Sequence, residues 1–272
     1  MSDISIVTAF WDIGRGDWTP DKGLPHYLQR STQTYLERFG YLAQLDTDMT
    51  IFTSRELAPM VADYRRDKEN KTKIIVCDPR DSFPHMRNSI VNVQQNPEFI
   101  RKVDPTQAKN PEYWNPDYVL VTDLKAFFTN FAVENGFTQN DMVAWIDFGY
   151  CRSMANIPNS KKWDYDFDPT KIHLFSYKDH NDEKTIEQIV LSNDVYILGA
   201  KVVAHKSLWK KMSDYMTESF DILQKWNLVD DDQGLWLLSY KLHKQDFELH
   251  TIPDHQHGHD PFVLFNQFNN TL

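Results

Sequence analysis

The chain has 272 residues and a net charge of −10, from 29 basic against 39 acidic side chains. That balance argues against a general nucleic-acid binder, which needs clustered cations to displace counterions from phosphate, and against a polybasic membrane anchor. At 41% hydrophobic and 25% charged, the composition is that of a globular protein with a full core. Two cysteines, Cys77 and Cys151, cannot supply a disulfide framework, which points to a reducing compartment. The opening residues lack the pattern of a signal peptide, and no apolar run approaches the ~20 residues that span a bilayer. The expectation is a soluble cytoplasmic protein, with peripheral membrane contact left open. Its 8 Trp, 12 Tyr and 17 Phe make 14% of the chain, which adds a little weight to a carbohydrate partner because flat sugar faces stack on rings.

The first predicted element is a buried strand over Ile4–Trp11, followed by a loop with Gly14, Gly16, Pro20 and Gly23. Apolar residues from His26 to Phe39 recur at helical spacing. Met49–Thr53 reads as a second strand, after which Ser54 caps a helix carrying Leu57, Met60 and Val61. Lys73–Cys77 is a third strand ending at Asp78-Pro79-Arg80-Asp81. A turn-rich segment precedes an amphipathic helix through Tyr118, Val121, Leu124, Phe128 and Phe131, stopped by Asn135-Gly136. Met142–Ile146 is the clearest buried strand, and it breaks at Asp147-Phe148-Gly149. Further strands are expected around Ile189 and over Val195–Val203. Helices follow over Ser207–Trp226 and Asp231–Leu242, then a strand near Phe247–Ile252 and a His-rich tail. Alternating strand and helix in the first half imply an α/β fold with a largely parallel sheet.

In such sheets ligands sit beyond the carboxyl ends of the strands. Asp147 therefore stands out: it directly follows a buried strand, where a carboxylate can hold Mg²⁺ or Mn²⁺ against a phosphate. A plain strand-ending turn uses the same residues. Lys125 reads as a snorkelling surface lysine unless it meets Asp147, where it would suit a diphosphate. Asp230-Asp231-Asp232-Gln233 precedes a helix that needs only one cap, leaving a carboxylate free for acid–base work. The tail, with His250, His255, His257 and His259, could hold a metal or be a polar loop. Asp164-x-Asp166-x-Asp168 lacks the glycine and the final glutamate of a calcium loop, and Gly14-x-Gly16 lacks the third glycine of a dinucleotide fingerprint.

Lys125 with Trp145-Ile146-Asp147-Phe148-Gly149-Tyr150 resembles the core signature of the HtrL/YibB family of bacterial proteins, met in lipopolysaccharide and capsule gene clusters. Tyr196-Ile197-Leu198-Gly199-Ala200 and Asp232-Gln233 extend a likeness to GT-A glycosyltransferases over nearly the whole chain. The resemblance implies a single GT-A-like domain, a Rossmann-like mixed sheet flanked by helices. Residues 1–150 would bind nucleotide, and 151–272 would bind acceptor and carry the tail. It implies transfer of a hexose, from a UDP-sugar, to a lipopolysaccharide, O-antigen or capsule glycan, at or near the inner membrane. Asp147 would hold Mn²⁺ or Mg²⁺ with His257 or His259. Phe10, Trp11, Asp12 and Arg15 would surround the nucleotide, Lys125 would touch the donor, and Gly199 and Ala200 would line the sugar pocket. Asp232, beside Gln233, would contact the sugar or act as base. Gly149 stands where the family of Asp-x-Asp enzymes has a second acid. A nucleotidyltransferase, or a glycan-binding protein with a degenerate site, are the rival readings.

Overall fold

The computed structural model describes residues 3–163, 165–178 and 184–251. Seven strands form one sheet: Ile4–Phe10 (β1), Met49–Thr53 (β2), Thr72–Val76 (β3), Met142–Ile146 (β4), Ile172–Ser176 (β5), Lys201–His205 (β6) and Phe247–Thr251 (β7). Their order is β3-β2-β1-β4-β6-β5-β7. The pairs β1–β2, β2–β3, β1–β4 and β5–β7 are parallel, whereas β6 runs antiparallel to both β4 and β5. The chain leaves β1 toward β2 and β3 on one side, then crosses back to β4 on the other. This reversal opens a crevice at the carboxyl ends of β1 and β4.

All five residues of β4 are buried, which is why its sequence is a continuous apolar run rather than an alternation. The pleat sends alternate side chains to two cores. Val7, Trp11, Val143 and Trp145 face one core. Helices α4 (Pro84–Gln94), α6 (Pro116–Asp123), α7 (Lys125–Glu134), α9 (Trp209–Lys225) and α10 (Asp232–Leu242) supply its other side. Ile4, Ile6, Phe10, Ala144 and Ile146 face the second core, packed by α1 (Thr32–Leu42) and α2 (Ala58–Tyr64). Short helices α3 (Pro79–Ser82), α5 (Pro97–Lys102) and α8 (Ile186–Leu191) complete the set among the described residues. None of these helices is long and apolar enough to cross a membrane.

Several sequence expectations are corrected. Ile189 lies in helix α8, not a strand. Thr185 and Gln188 form a reciprocal capping box that nucleates it, and Ile186, Ile189 and Val190 bury one face. The strand expected over Val195–Val203 begins only at Lys201; before it Ile197 makes an isolated bridge to Ser176 at the end of β5, and Gly199-Ala200 form a turn. The single helix through Tyr118–Phe131 is two, broken at Leu124, so that Lys125 opens α7. The first helix starts at Thr32, capped by the Ser31 hydroxyl, and the second starts at Ala58 rather than after Ser54. Strand β5 was not anticipated, because its apolar run is short and flanked by polar residues.

Candidate active site

A cavity of about 300 Å³ lies at the carboxyl ends of β1 and β4. Phe10, Trp11, Asp12, Arg15, Lys125, Asp147, Gly149, Gly199, Ala200, Asp232 and Gln233 all line it. The structure therefore gathers these eleven residues from five separate segments, whereas His250, also singled out in the sequence, lies elsewhere.

Its centre is a buried ion cluster. Lys125 Nζ lies 2.9 Å from Asp147 Oδ1 and 3.0 Å from Asp232 Oδ2, and donates to the Gly199 carbonyl at 3.0 Å. Each acid is also oriented by an indole: Trp145 Nε1 donates to Asp147 Oδ1 and Trp236 Nε1 to Asp232 Oδ2, both at 2.8 Å. The break between α6 and α7 places Lys125 at the first position of a helix, facing the ends of the strands. The turn at Gly199-Ala200 before β6 brings the Gly199 carbonyl to the ammonium. A Cβ on Gly199 would meet Asp232 Oδ2 at 2.3 Å, so only glycine lets Asp232 sit there. Burial raises the Asp232 carboxyl to about 7; Lys125 pulls it down, while Asp231 and Asp147 push it up. Against its own burial, Lys125 is held above the ordinary lysine range by Asp147 and Asp232.

The three consecutive acids divide their work. Asp231 caps α10, its Oδ1 accepting from the Gln233 amide at 3.0 Å, and Tyr118 donates to its Oδ2 at 3.2 Å. Asp232 is the one that joins Lys125. Asp230 is pushed well above the carboxylate range by burial and by Asp231 and Glu112. Asp123 and Glu112 lie behind the same wall, and burial leads their upward shifts as well.

Glu112 provides a pH test. Burial, then Asp231, push its carboxyl up to about 8. The folded chain keeps this proton past the pH at which the unfolded chain releases it. The resulting stability is present below the ordinary glutamate range and is lost as pH rises through about 8. Folding stability, read from urea unfolding, should therefore fall between about pH 6 and about pH 9 by an amount of order a few kcal/mol. Glu112→Gln should lessen that fall, the remainder belonging to Asp123, Asp230 and Asp232, whose carboxyls burial also raises; a fall of undiminished size would mean that Glu112 is ionised in the fold.

The second acid of an Asp-x-Asp pair is absent for a steric reason. A Cβ on Gly149 would come 2.6 Å from Cδ1 of Tyr35, whose ring packs 4.6 Å from that of Phe10. For a divalent cation the lining offers four carboxylates, and each is engaged: Asp147 and Asp232 by Lys125 and an indole apiece, Asp231 by the Gln233 amide and Tyr118, and Asp12 by the Gly14 amide and Thr32. That set does not fit Mg²⁺ or Mn²⁺, which takes several oxygen ligands. The expected partners His257 and His259 lie outside the described residues. A different group with metal-ligand spacing, His173, Glu248 and His250, sits on β5 and β7, and none of the three lines the cavity.

Asp12 and Arg15 take part in the wall mainly as builders. Asp12 accepts from the Gly14 amide at 2.8 Å and from the Thr32 hydroxyl, tying the loop after β1 to α1. Arg15 donates to the Leu28 carbonyl at 3.1 and 3.2 Å and to the Tyr35 hydroxyl at 2.8 Å, and lies over the rings of Trp18 and Tyr118. Sequence reasoning missed Arg30, Arg38, Tyr35 and Tyr177, which also line the cavity, and assigned no role to Arg152. Arg152 had a signal in its nearness to Asp147. Arg30 and Arg38 had none, since a charge on an amphipathic helix reads as solvated surface.

Among solved structures the chain is similar to apo mouse xyloside xylosyltransferase 1, with a TM-score of 0.44 and 8% identity, covering 97% of this chain and 92% of that one. Protein HtrL of Escherichia coli (strain K12) is 40% identical over 254 residues, 92% of this chain and 88% of that relative. A sequence profile described as "Bacterial protein of unknown function (HtrL_YibB)" matches residues 2–269. The chain belongs to the HtrL_YibB family.

Proposed function

We propose that the chain is a glycosyltransferase that moves a hexose from a nucleotide sugar, a UDP-hexose, onto a lipopolysaccharide, O-antigen or capsule glycan. The observation that carries this reading is the Lys125 ammonium bridging Asp147 and Asp232 in the crevice beyond β1 and β4. Breaking a bond to a nucleoside diphosphate builds negative charge on the leaving phosphate, which the arginines on the same lining can stabilise, while Lys125 holds the two acids in place beside it. The sugar and the acceptor hydroxyl need oriented acceptors, which Asp232 and Gln233 provide at the α10 end of the cavity. The rings of Phe10, Trp11, Tyr35, Tyr118 and Trp145 provide apolar faces on the same lining.

A nucleotidyltransferase is less well supported. It needs open loop amides to cradle a triphosphate, whereas the Gly14 amide is already bonded to Asp12. No step of this proposal relies on Mn²⁺ or Mg²⁺, since the expected ligands His257 and His259 lie outside the described residues.

The test is a thermal-shift screen of UDP-hexoses with and without Mn²⁺. A ligand at about one hundred times its Kd should raise the midpoint by roughly 5–10 °C. Asp147→Ala should change the shift, because it releases Lys125 from one of its two carboxylates at the cavity. A shift unchanged in that variant removes Asp147 from the site; no shift with any nucleotide sugar would sink the transfer reading.

A further inference from the structure

The cavity is electrically divided. On the α6, α7 and α10 side lie Asp231 and Asp232, with Lys125 saturated by its two carboxylates. On the α1 side lie Arg30, Arg38 and Arg152. Among the described residues, none of these three guanidinium groups has a hydrogen bond or ion pair. Arg30 precedes the Ser31 cap of α1, Arg38 sits two turns along that helix, and Arg152 follows the Asp147–Gly149 turn at the rim.

Three unpaired arginines together are a departure in a chain of net charge −10. They are close enough to repel. Burial, then Arg30, Arg152 and Arg15, push Arg38 below its ordinary range, and burial, then Arg30, does the same for Arg152. The carboxylates that could relieve them are held elsewhere: Asp12 by Gly14 and Thr32, Asp147 by Lys125 and Trp145. A fold that gathers like charges at a cavity wall gains by placing an anion among them. Planar guanidinium forks match phosphate oxygens with paired hydrogen bonds.

We infer that Arg30, Arg38 and Arg152 form a phosphate-binding subsite that neutralises the diphosphate of the nucleotide sugar without a divalent cation. This rests on the glycosyltransferase reading above and adds to it a direction. The diphosphate lies against α1, and the hexose points across the cavity toward Asp232 and Gln233. It also accounts for the missing second acid: where Tyr35 fills the space beside Gly149, arginines supply the positive charge.

Calorimetric titrations with UDP and with inorganic pyrophosphate, both in EDTA, test it. The wild-type chain should bind both, and raised salt should weaken binding. Arg38→Gln should weaken UDP and pyrophosphate at least tenfold, and Arg152→Gln, at the exposed rim, should do so without disturbing the fold. UDP binding that requires Mn²⁺, or that is unchanged within threefold in both variants, overturns the subsite while leaving the transfer reading intact. Equal affinity for pyrophosphate and UDP, lost in both variants, would keep the subsite and overturn the nucleotide-sugar reading.

Discussion

Lys125→Met should lose about 3–5 kcal/mol of folding stability, measured as a lower urea midpoint, because it strands buried charge. Asp232 is almost wholly buried, and Lys125 is its cationic partner at 3.0 Å. Asp147 is 36% exposed at its side chain, so water can take over part of the lost contact there; most of the effect belongs to Asp232. Methionine nearly matches the lysine stem in volume, so lost packing contributes little. The Gly199 carbonyl also loses its donor. Adding Asp232→Asn should restore a large part of the loss, since the uncompensated carboxylate then disappears, and the double-mutant cycle reads their coupling directly. A single-variant loss below about 1 kcal/mol would show that the cluster is solvated and not a buried ion pair.

Asp232→Asn should cut donor turnover by about 10²–10⁴-fold while leaving UDP affinity within about threefold. The substitution keeps the shape that Gly199 is cut to fit and keeps an oxygen for Trp236 to bond, but removes the charge. Asp232 lies on the flank where the sugar is placed, away from the arginines, so the phosphates should not sense the change. With its carboxyl raised to about 7 by burial, the wild-type rate should climb as pH rises through that value, and the variant's rate should not. Turnover and UDP affinity falling together would instead make Asp232 a structural residue of the α10 terminus.

Much of the site could be read from local sequence, for a definite reason. Asp147 announces itself because it ends a strand buried on both faces, and any polar residue immediately beyond such a strand must lie at the sheet's rim. Asp232 was legible because three acids precede a helix that needs one cap. Gly149 and Gly199 could be flagged by position, but their purpose could not: the atoms that exclude a Cβ, on Tyr35 and Asp232, are distant in sequence.

Elsewhere local pattern misled. Around Ile189, apolar residues next to a polar stretch suggested a strand, whereas the reciprocal Thr185–Gln188 cap sets a helix. The edge pairing of β5 with β7 joins segments some seventy residues apart, and short strands of this kind draw their stability from neighbours rather than from their own composition.

By itself the sequence determined the alternation of strands and helices in the first half, the buried β4, and the acids placed at the ends of elements. These follow from side-chain periodicity and capping, which act over a few residues. Only the tertiary structure decided where charge is neutralised. Lys125 became the partner of two acids because a helix break aimed it at them, not because of its neighbours in the chain. Arg30, Arg38 and Arg152 became one wall because α1 and the turn after β4 meet at the end of the sheet. The global charge of −10 is a sum over the chain, whereas an anion responds to the groups within a few ångströms, and that local sum depends on long-range packing.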